Sequence, residues 1–281
     1  MARRTIPHDP RDLEQATVAE LQERILGWYA ANARDLPWRR TTDPYAILIR
    51  EIMLQQTQAP RVITKFAEFL AVYPRLEDLA AARLDDVLRL WKGLGYNNRA
   101  RRLRDCAAAA VAAAGGGPAE LPRCFEGLRG LPGIGPYTAR AVLVFAHNDD
   151  VAAVDANVRR VLTHELSLPA DLGEGELQKV AEAVLPRGRS RDWHNGLMDY
   201  GALVLTARAT GIAPRTRQGA FEGSRRWYRS RLLQALLDRG PQRLDQLASA
   251  LDVTPDVAAE LADLLTHDGL VRRDGDCVHV A

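Results

Sequence analysis

Residues 131–139 read Leu131-Pro132-Gly133-Ile134-Gly135-Pro136-Tyr137-Thr138-Ala139, and they join two segments with apolar residues at helical spacing, 125–131 and 136–146. Glycines let a backbone turn tightly and approach a ligand closely, and the helix start that follows presents free N–H groups to an anion. If the ligand is DNA, that anion is a backbone phosphate at Gly133 and Gly135. A plain helix–helix turn that contains glycine is the alternative.

Two acidic residues lie far to either side of this turn. Glu51 opens the run Glu51-Ile52-Met53-Leu54-Gln55-Gln56-Thr57, on a helix that Asp43-Pro44 starts as N-cap and first residue. Asp155 stands in Val154-Asp155-Ala156-Asn157-Val158. Two carboxyl groups, one acid and one anion, are the usual equipment for breaking a bond to a sugar's anomeric carbon. The alternatives are a solvated helical charge at Glu51 and a helix N-cap at Asp155, worth about 1 kcal/mol, which can coexist with a catalytic role.

The composition is that of an ordinary globular chain. Of its 281 residues, 47% are hydrophobic and 26% are charged, which excludes a disordered chain and permits one large domain or two smaller ones. The net charge of +2 does not bear on nucleic-acid binding. The cations are almost all arginine, which suits phosphate, although a GC-rich genome would produce the same bias.

The cysteines Cys106, Cys124 and Cys277 lack the spacing of metal ligands, so neither a disulfide framework nor a zinc site is predicted. A reducing compartment is therefore the default expectation. Residues 1–10 are polar and basic, and no apolar run approaches the roughly 20 residues that cross a bilayer. We expect no signal peptide, no membrane partner, no metal and a cytoplasmic location.

Helical period dominates the chain as far as residue 206, so this part is predicted to be all-α. The predicted helices include 18–33, 58–72, 76–90, 98–114 and 193–206. Residues 211–223 are typical of a linker. Three further helices (226–238, 244–251 and 254–267) and a hairpin turning at Asp274-Gly275 form the winged-helix pattern. Because Asp256, Glu260 and Asp263 make its third helix acidic, a packing or partner role is favoured over DNA binding.

Residues 36–206 resemble the helix-hairpin-helix base excision DNA glycosylases, the endonuclease III superfamily, and within it they are most similar to MutY-type adenine glycosylases. The motifs that carry the resemblance are Pro37-Trp38-Arg39, Asp43-Pro44-Tyr45, Glu51 to Thr57, Trp91-Lys92-Gly93-Leu94-Gly95-Tyr96, the Gly133/Gly135 hairpin and Asp155-Ala156-Asn157-Val158. The Met-Leu-Gln-Gln-Thr string is specific for the adenine branch, whereas the hairpin is specific only for the superfamily. The implied fold has two helical subdomains with a cleft between them, one from residues 1–35 and 147–215 and one of six helices from 36–146. Residues 216–281 follow as linker and winged-helix-like domain.

The resemblance also implies catalytic roles. Glu51 would be the general acid that protonates a ring nitrogen of the departing purine. Asp155 would stabilise the oxocarbenium-like sugar. Tyr137 would lie beside them, at the position where bifunctional relatives hold a lysine that forms a Schiff base. Tyrosine cannot form one, so we predict a monofunctional enzyme.

The same resemblance assigns DNA contacts, because the target base must leave the stack. The predicted DNA-binding residues are Gln55, Gln56, Thr57, Tyr96, Gly133, Gly135 and Asn157. Gln56 and Tyr96 would insert into or beside the vacated duplex, and Asn157 would also hold Asp155. Trp38, Arg39 and Leu54 would line the base pocket. Ordinary roles are a surface amide for Gln56, a partly buried ring for Tyr96 and a core residue for Trp38.

Three departures from the family pattern matter. Leu205 stands where the first of four cluster-binding cysteines is expected and residues 206–223 contain no cysteine, so we predict no iron–sulfur cluster, with Arg208, Arg215 and Arg217 facing phosphate. Residues 224–281 are too short for the Nudix-like domain that reads 8-oxoguanine. Tyr96-Asn97 and Asp155-Ala156-Asn157 replace a tyrosine pair and Asp-Gly-Asn.

The sequence therefore predicts a monomeric, nucleoid-associated DNA repair glycosylase that removes adenine mispaired with guanine or 8-oxoguanine from double-stranded DNA. A monovalent cation at the hairpin carbonyls is the one cofactor that the family resemblance suggests. The alternatives are a glycosylase for thymine or uracil opposite guanine, and a catalytically silent DNA-binding protein. Retention of both Glu51 and Asp155 argues against the silent protein.

Overall fold

The computed structural model describes residues 14–213 and 219–281, and within these ranges its regular structure is helical apart from three short strands near the C-terminus. The predicted all-α class is confirmed. Contacts divide the chain into two compact units. Unit 1 comprises Met1–Leu48, Pro122–Arg129 and Gly135–Arg217, and unit 2 comprises Ile49–Leu121, Gly130–Ile134 and Gln218–Ala281. Arg215 and Arg217, predicted to face phosphate, lie outside the described residues.

These units divide the chain at positions other than the predicted subdomain boundaries. Residues 36–48 and 135–146 group with unit 1, and the C-terminal residues group with unit 2. The helix α2, which spans Pro44–Leu54, contributes residues to both units. A continuous helix gives no sequence signal at the point where its contacts change from one unit to the other.

Besides the first part of α2, unit 1 is built from a short 3-10 turn at Pro37–Arg39 and seven helices among its described residues. These are α1 (Gln15–Asn32), α7 (Phe125–Arg129), α8 (Pro136–Val142, continued by a π-helical turn at Leu143–His147), α9 (Ala156–Glu165), α10 (Glu174–Ala183), α11 (Ser190–Leu203) and α12 (Ala207–Thr210).

The core of unit 1 lies where α1, α9 and α11 meet. Ile25, Val161 and Trp193 are almost fully buried there. Two glycines of α11 permit this close packing: a Cβ on Gly196 would lie 3.0 Å from Ile25 Cγ2, and one on Gly201 would lie 2.9 Å from Asn157 Cβ. The second contact places α11 against Asn157, whose side chain is hydrogen-bonded to Asp155.

A neutral histidine is buried in this core. His194 Nδ1 donates to the carbonyl of Ser190 at 2.7 Å, and Nε2 accepts the backbone N–H of Ala153 at 2.9 Å. Burial lowers the pKa of His194 to about 4, because a charged ring would lose its hydration. Between that value and the ordinary pKa of about 6.5, the unfolded chain binds a proton that the folded protein does not.

Stability should consequently fall as the pH is lowered. From about pH 7.5 to about pH 4.5, His194 should remove about 2 to 3 kcal/mol of unfolding free energy. Urea unfolding at each pH measures this loss, and His194→Gln, which keeps an acceptor of similar reach, should show a correspondingly smaller loss. Equal losses in the two proteins would refute the assignment to His194.

Unit 2 contains the last turn of α2 and two groups of elements. The first group is α3 (Ala59–Val72), α4 (Leu76–Ala80), α5 (Leu84–Trp91) and α6 (Asn98–Ala113). The second group is α13 (Arg225–Arg239), β1 (Gln242–Arg243), α14 (Leu244–Leu251), α15 (Pro255–His267), β2 (Val271–Asp274) and β3 (Cys277–Val280).

Two details of unit 2 differ from the sequence prediction. The segment 76–90 was predicted as one helix but forms two, because Arg83 is extended. Asp85 and Asp86 lie in the first turn of α5, where acidic residues favour a helix start. The predicted hairpin is present, but it has a third strand. β1 pairs with β3 through Gln242–Val278 and Arg243–Cys277, giving the order β1-β3-β2. A strand of two residues has no periodicity to detect.

No helix among the described residues is both long enough and apolar enough to cross a membrane.

Candidate active site

Glu51 is buried in the last turns of α2. The helix begins as predicted: Asp43 Oδ1 accepts the N–H of Tyr45 at 3.0 Å and Pro44 is the first helical residue. Its middle residues Ile47 and Leu48 have no exposed surface. Because the helix is hydrophobic on all sides, it carries the carboxyl of Glu51 into a setting where only 4% of the residue is exposed.

The buried carboxylate has an arginine beside it. Arg50 Nη2 lies 2.7 Å from Glu51 Oε1, and both side chains are 4% exposed. The pair meets the distance criterion for an ion pair. The positive charge of Arg50 attracts the carboxylate and limits the orientations that Glu51 can adopt.

The turn after α2 carries three of the predicted DNA-binding residues. Leu54, Gln55 and Thr57 are half-buried, whereas Gln56 is exposed. Gln56 has a φ of +55°, in the left-handed region that non-glycine residues rarely adopt. Thr57 Oγ1 donates to the carbonyl of Leu94 at 3.2 Å, so this turn is tied to the loop that precedes α6.

That second loop, residues 93–96, is also built on unusual backbone. Gly93, Gly95 and Tyr96 all have positive φ, of +96°, +71° and +47°. Trp91 Nε1 donates to the carbonyl of Gly95 at 3.2 Å. Tyr96 is exposed at the tip. Left-handed residues other than glycine cost about 1–3 kcal/mol each, and such strain concentrates at functional sites. Gln56 and Tyr96 are two such residues in linked loops.

Arg99, in the first turn of α6, joins the two loops. Its guanidinium is buried and donates to carbonyl and hydroxyl oxygens from both sides. The acceptors are the carbonyls of Ile52 (2.7 Å), Met53 (3.0 Å), Gln55 (2.5 Å), Leu94 (2.9 Å) and Gly95 (2.9 Å), and Thr57 Oγ1 (3.1 Å). Burial lowers the pKa of Arg99 to about 10, which leaves it charged at neutral pH. The carbonyls of α2 carry the negative end of the helix dipole, which suits this cation.

Sequence reasoning missed Arg99. Five of the six acceptors given above are backbone carbonyls, up to 47 positions away, and these leave no pattern in the sequence. One weak signal was present: α6 starts with basic residues and has no acid in its first turn, against the preference set by the helix dipole. Because Arg101, Arg102 and Arg104 follow closely, that signal does not single out Arg99.

Replacing Arg99 by methionine should lower the unfolding free energy by about 3 kcal/mol, because several buried carbonyls lose their donor. Chemical unfolding measures the loss. Arg104→Met is the matched control on the same helix, since among the described residues Arg104 pairs with its neighbour Asp105, and it should change stability by less than about 0.5 kcal/mol. Similar losses in the two variants would disprove the special role of Arg99.

The two hairpin glycines differ in what the protein itself requires. Gly133 has a φ of +77°, and a Cβ there would lie 2.8 Å from Arg102 Cβ, so this position needs glycine for both backbone and space. Gly135 has a φ of −84° and would place a Cβ in open space. Nothing within the described part of the protein therefore demands glycine at 135. Close approach of a ligand backbone is a reason that lies outside the protein.

Asp155 is the N-cap of α9. Its Oδ1 accepts the N–H groups of Asn157 (2.8 Å) and Val158 (2.7 Å), and Oδ2 accepts Asn157 Nδ2–H at 3.0 Å. Desolvation raises the pKa of Asp155, while these hydrogen bonds oppose the rise by favouring the anion. Asp155 therefore has the helix-capping role that the sequence analysis gave as its alternative.

Asp155 is held by a chain of side chains that ends in Arg160. Asn157 Oδ1 accepts Arg160 Nη2–H at 2.6 Å, so the amide of Asn157 is oriented with its Nδ2 toward Asp155. Arg160 is itself fixed by the carbonyls of Gly201 and Leu205, each at 2.5 Å. Arg160 was not identified from the sequence. Leu205, which replaces an expected cysteine, contributes its carbonyl here.

The remaining site residues of unit 1 have defined surroundings. Trp38 is 3% exposed, which agrees with its ordinary reading as core. Arg39 donates to both oxygens of Asp199, at 2.6 and 2.7 Å, so its guanidinium is committed to an ion pair. Burial alone would raise the pKa of Asp199, but hydrogen bonds from Arg39 and Arg34 outweigh it and hold that pKa below its usual value. Tyr137 is half-buried in the first turn of α8.

Within the described residues, no group of three or more His, Cys, Asp or Glu side chains is arranged to hold a metal ion. An iron–sulfur cluster needs four thiolates in its common form, and the chain has three cysteines. Cys106 is buried in α6, where burial raises its pKa to about 12 and disfavours the thiolate that a cluster requires. The residues present therefore do not fit the cluster.

Comparisons with known proteins identify the family of the chain. Residues 49–187 match the family model described as HhH-GPD superfamily base excision DNA repair protein. The chain is 37% identical to an adenine DNA glycosylase of Mycolicibacterium smegmatis over 274 residues, which are 90% of this chain and 92% of that one. It is 38% identical to the human adenine DNA glycosylase over 204 residues, 68% of this chain but 37% of the human one.

A solved thermostable thymine-DNA glycosylase is also similar, with a TM-score of 0.64 and 32% identity over 69% of this chain and 90% of that one. The chain belongs to the HhH-GPD superfamily of base excision DNA repair proteins.

Proposed function

We propose that the protein is a monofunctional DNA glycosylase that hydrolyses the N-glycosidic bond of adenine mispaired with guanine or 8-oxoguanine. The observation that carries the proposal is the placement of Glu51. Its carboxyl is buried one turn before Gln55 and Gln56, in the string that is typical of the adenine branch. The relatives named adenine DNA glycosylase support the choice of base.

In this mechanism Glu51 donates a proton to a ring nitrogen of the extruded adenine. The bond from the base to the anomeric carbon then breaks, its electron pair leaves with the base, and the sugar becomes oxocarbenium-like. The anionic carboxylate of Asp155 stabilises that cation, and its hydrogen bonds to Asn157 and Val158 hold it in place. Water adds to the anomeric carbon and loses a proton, so the products are free adenine and an abasic site.

Tyr137 accounts for the monofunctional part of the proposal. A phenol has no amine with which to form a Schiff base, and strand cleavage by β-elimination needs one. The chain has three lysines: Lys65 lies in α3, Lys92 follows α5 and Lys179 lies in α10. None of them stands at the motif position where bifunctional relatives hold their lysine. The abasic product should therefore remain uncut until alkali is added.

DNA contacts are proposed for the two linked loops and the hairpin. Gln56 and Tyr96 are exposed and strained at the tips of loops that Arg99 fixes, as expected of side chains that enter a duplex. Gly135, which the protein itself does not require, suits a phosphate backbone. Trp38 and Leu54 would line the base pocket, whereas the Arg39 guanidinium would act through its pair with Asp199. Asn157 would serve both Asp155 and DNA.

The proposed enzyme acts as a monomer at the nucleoid, has no iron–sulfur cluster and binds a monovalent cation at the hairpin carbonyls. The predicted subdomain division, 1–35 with 147–215 against 36–146, is retained as a proposal about folding units.

A glycosylase for thymine or uracil opposite guanine is the second candidate. The similarity to a solved thymine-DNA glycosylase favours it, as do the departures at Asn97 and Ala156. A catalytically silent DNA-binding protein would have no need of the chain of side chains from Asp155 through Asn157 to Arg160.

Single-turnover base release on labelled duplexes separates these candidates. The panel is A opposite 8-oxoguanine, A opposite G, T opposite G and U opposite G, each with and without alkali. Nicking of the adenine strand that depends on alkali supports the proposal. Nicking only at T or U selects the second candidate, and tight binding without nicking selects the silent one.

A further inference from the structure

The C-terminal domain, which consists of the elements from α13 to β3, contacts Tyr96 directly. Arg226, in the first turn of α13, donates from Nη1 to Tyr96 Oη at 2.5 Å, and its guanidinium carbon lies 5.7 Å from the centre of the tyrosine ring. Arg226 Nη2 also donates to the carbonyl of Gly219 at 3.0 Å. Both Arg226 and Tyr96 belong to unit 2. The contact spans 130 positions of sequence, and no motif predicted it.

A second guanidinium faces the same ring. Arg99, which joins the two loops, lies with its guanidinium carbon 5.6 Å from the ring centre of Tyr96. Cations near an aromatic face are attracted by its negative charge distribution. Tyr96 is thus held by its ring and by its hydroxyl, although it is exposed and has a left-handed backbone. This arrangement restricts a side chain that would otherwise rotate freely at a loop tip.

The helix that carries Arg226, α13, is firmly packed. Ser224 caps α13, and Leu232, Leu233 and Leu236 are buried on its inner face. Arg89 of α5 donates to the carbonyl of Leu237 at 3.3 Å, which links α13 to the helices of the first group. The position of Arg226 relative to Tyr96 is therefore set by packing as well as by their own hydrogen bond.

The third helix of the winged-helix pattern is poorly suited to phosphate. Asp256 and Glu260 make α15 acidic, and Glu260 already pairs with Arg225 at 2.5 Å. Asp263 pairs with Arg273 of β2 at 2.9 Å. These two basic side chains are thus paired with carboxylates of α15. If this part of the chain contributes to DNA repair, its contact with Tyr96 is a better basis for that role than phosphate binding by α15.

We propose that Arg226 is a positioning residue through which the C-terminal domain sets the orientation in which Tyr96 enters DNA. The domain then assists base extrusion without reading DNA through its own third helix. The inference rests on the proposed function, in that Tyr96 is the side chain that enters the duplex beside the vacated position.

The test compares Arg226→Gln with Arg225→Gln in the full-length protein. The control removes the same charge from the adjacent residue, whose partner Glu260 lies within the C-terminal domain. Base extrusion is followed by the fluorescence of 2-aminopurine placed at the target position, and excision is followed in a single turnover. Losing a charged hydrogen bond should lower both extrusion and excision about tenfold in Arg226→Gln. Arg225→Gln should match the wild type, and Arg226→Lys should recover part of the loss.

Tyr96→Phe tests whether Arg226 acts through the tyrosine. It removes the accepting oxygen and keeps the ring, so adding Arg226→Gln to it should lower extrusion much less than in the wild-type background. A full tenfold loss in the Tyr96→Phe background, equal losses at Arg225 and Arg226, or no loss at Arg226 would each overturn the proposal. The fluorescence of 2-aminopurine reports extrusion independently of excision. A wild-type protein that extrudes the base but does not release it would therefore contradict only the proposed function.

Discussion

Replacing Glu51 by glutamine should slow single-turnover adenine release by about a thousandfold, within the range that a general acid contributes. Glutamine has nearly the size and hydrogen-bonding reach of glutamate, but its amide has no proton of suitable acidity to give. The departing base would then leave as an anion, which is a much poorer leaving group. Affinity for a mispaired duplex should stay within about twofold, because Glu51 is buried and the proposed phosphate contacts lie at other residues.

The control for this result is Glu68→Gln. Glu68 lies in α3 of the same unit and pairs with Lys65 at the surface, so this change removes a carboxylate without touching α2. It should leave both release and binding unchanged. Unfolding curves of Glu51→Gln must also be recorded, since its carboxylate is in contact with Arg50. Release at the wild-type rate by a correctly folded Glu51→Gln protein would remove Glu51 from the mechanism.

Asp155→Asn should cause a loss of similar size, about a thousandfold, through a different physical cause. Asparagine keeps an oxygen that can cap α9, and asparagine and aspartate are about equally good N-caps. What disappears is the negative charge that is proposed to stabilise the developing cation of the sugar. The unfolding free energy should change by no more than about 1 kcal/mol, because the bond from Asn157 Nδ2 is the main one lost.

Comparison with Asp155→Ala separates capping from catalysis. Alanine removes both functions, so it should be less stable than Asp155→Asn by about 1 kcal/mol while being equally slow. The pH dependence of the rate of base release gives a second test. Because desolvation raises the pKa of Asp155, the acidic fall in rate should lie at higher pH than for an ordinary aspartate, and Asp155→Asn should lack it. An active Asp155→Asn protein would leave Asp155 with capping alone.

Local chemistry explains what the sequence could predict. The Asp43 cap, the Pro44 start, the Asp155 cap and the Gly133 turn each depend on groups within a few positions, so residue type and spacing are sufficient. The hairpin at the C-terminus was predictable for the same reason, through the Asp-Gly turn at Gly275.

Long-range contacts explain what the sequence could not predict. Arg99, Arg160 and Arg226 bind oxygens up to 130 positions away, and most of these oxygens are backbone carbonyls that every residue has. The chain has many arginines, so their number conceals the few that are buried. Only folded geometry separates Arg99 from Arg101 and Arg104, which pair with Asp105 on the same helix.

Arg99 connects the turn that follows Glu51 to the loop that carries Tyr96, one of the residues proposed to enter the duplex. Gln55 follows Glu51 by one helical turn, and Arg99 binds the carbonyls of Ile52, Met53 and Gln55 together. We expect a shift of this turn on binding DNA to displace the carboxyl of Glu51 as well. Under the proposed function, selectivity then has a kinetic component: on a duplex that Gln56 cannot enter, Glu51 is displaced while the protein is bound, and an ordinary base is not excised.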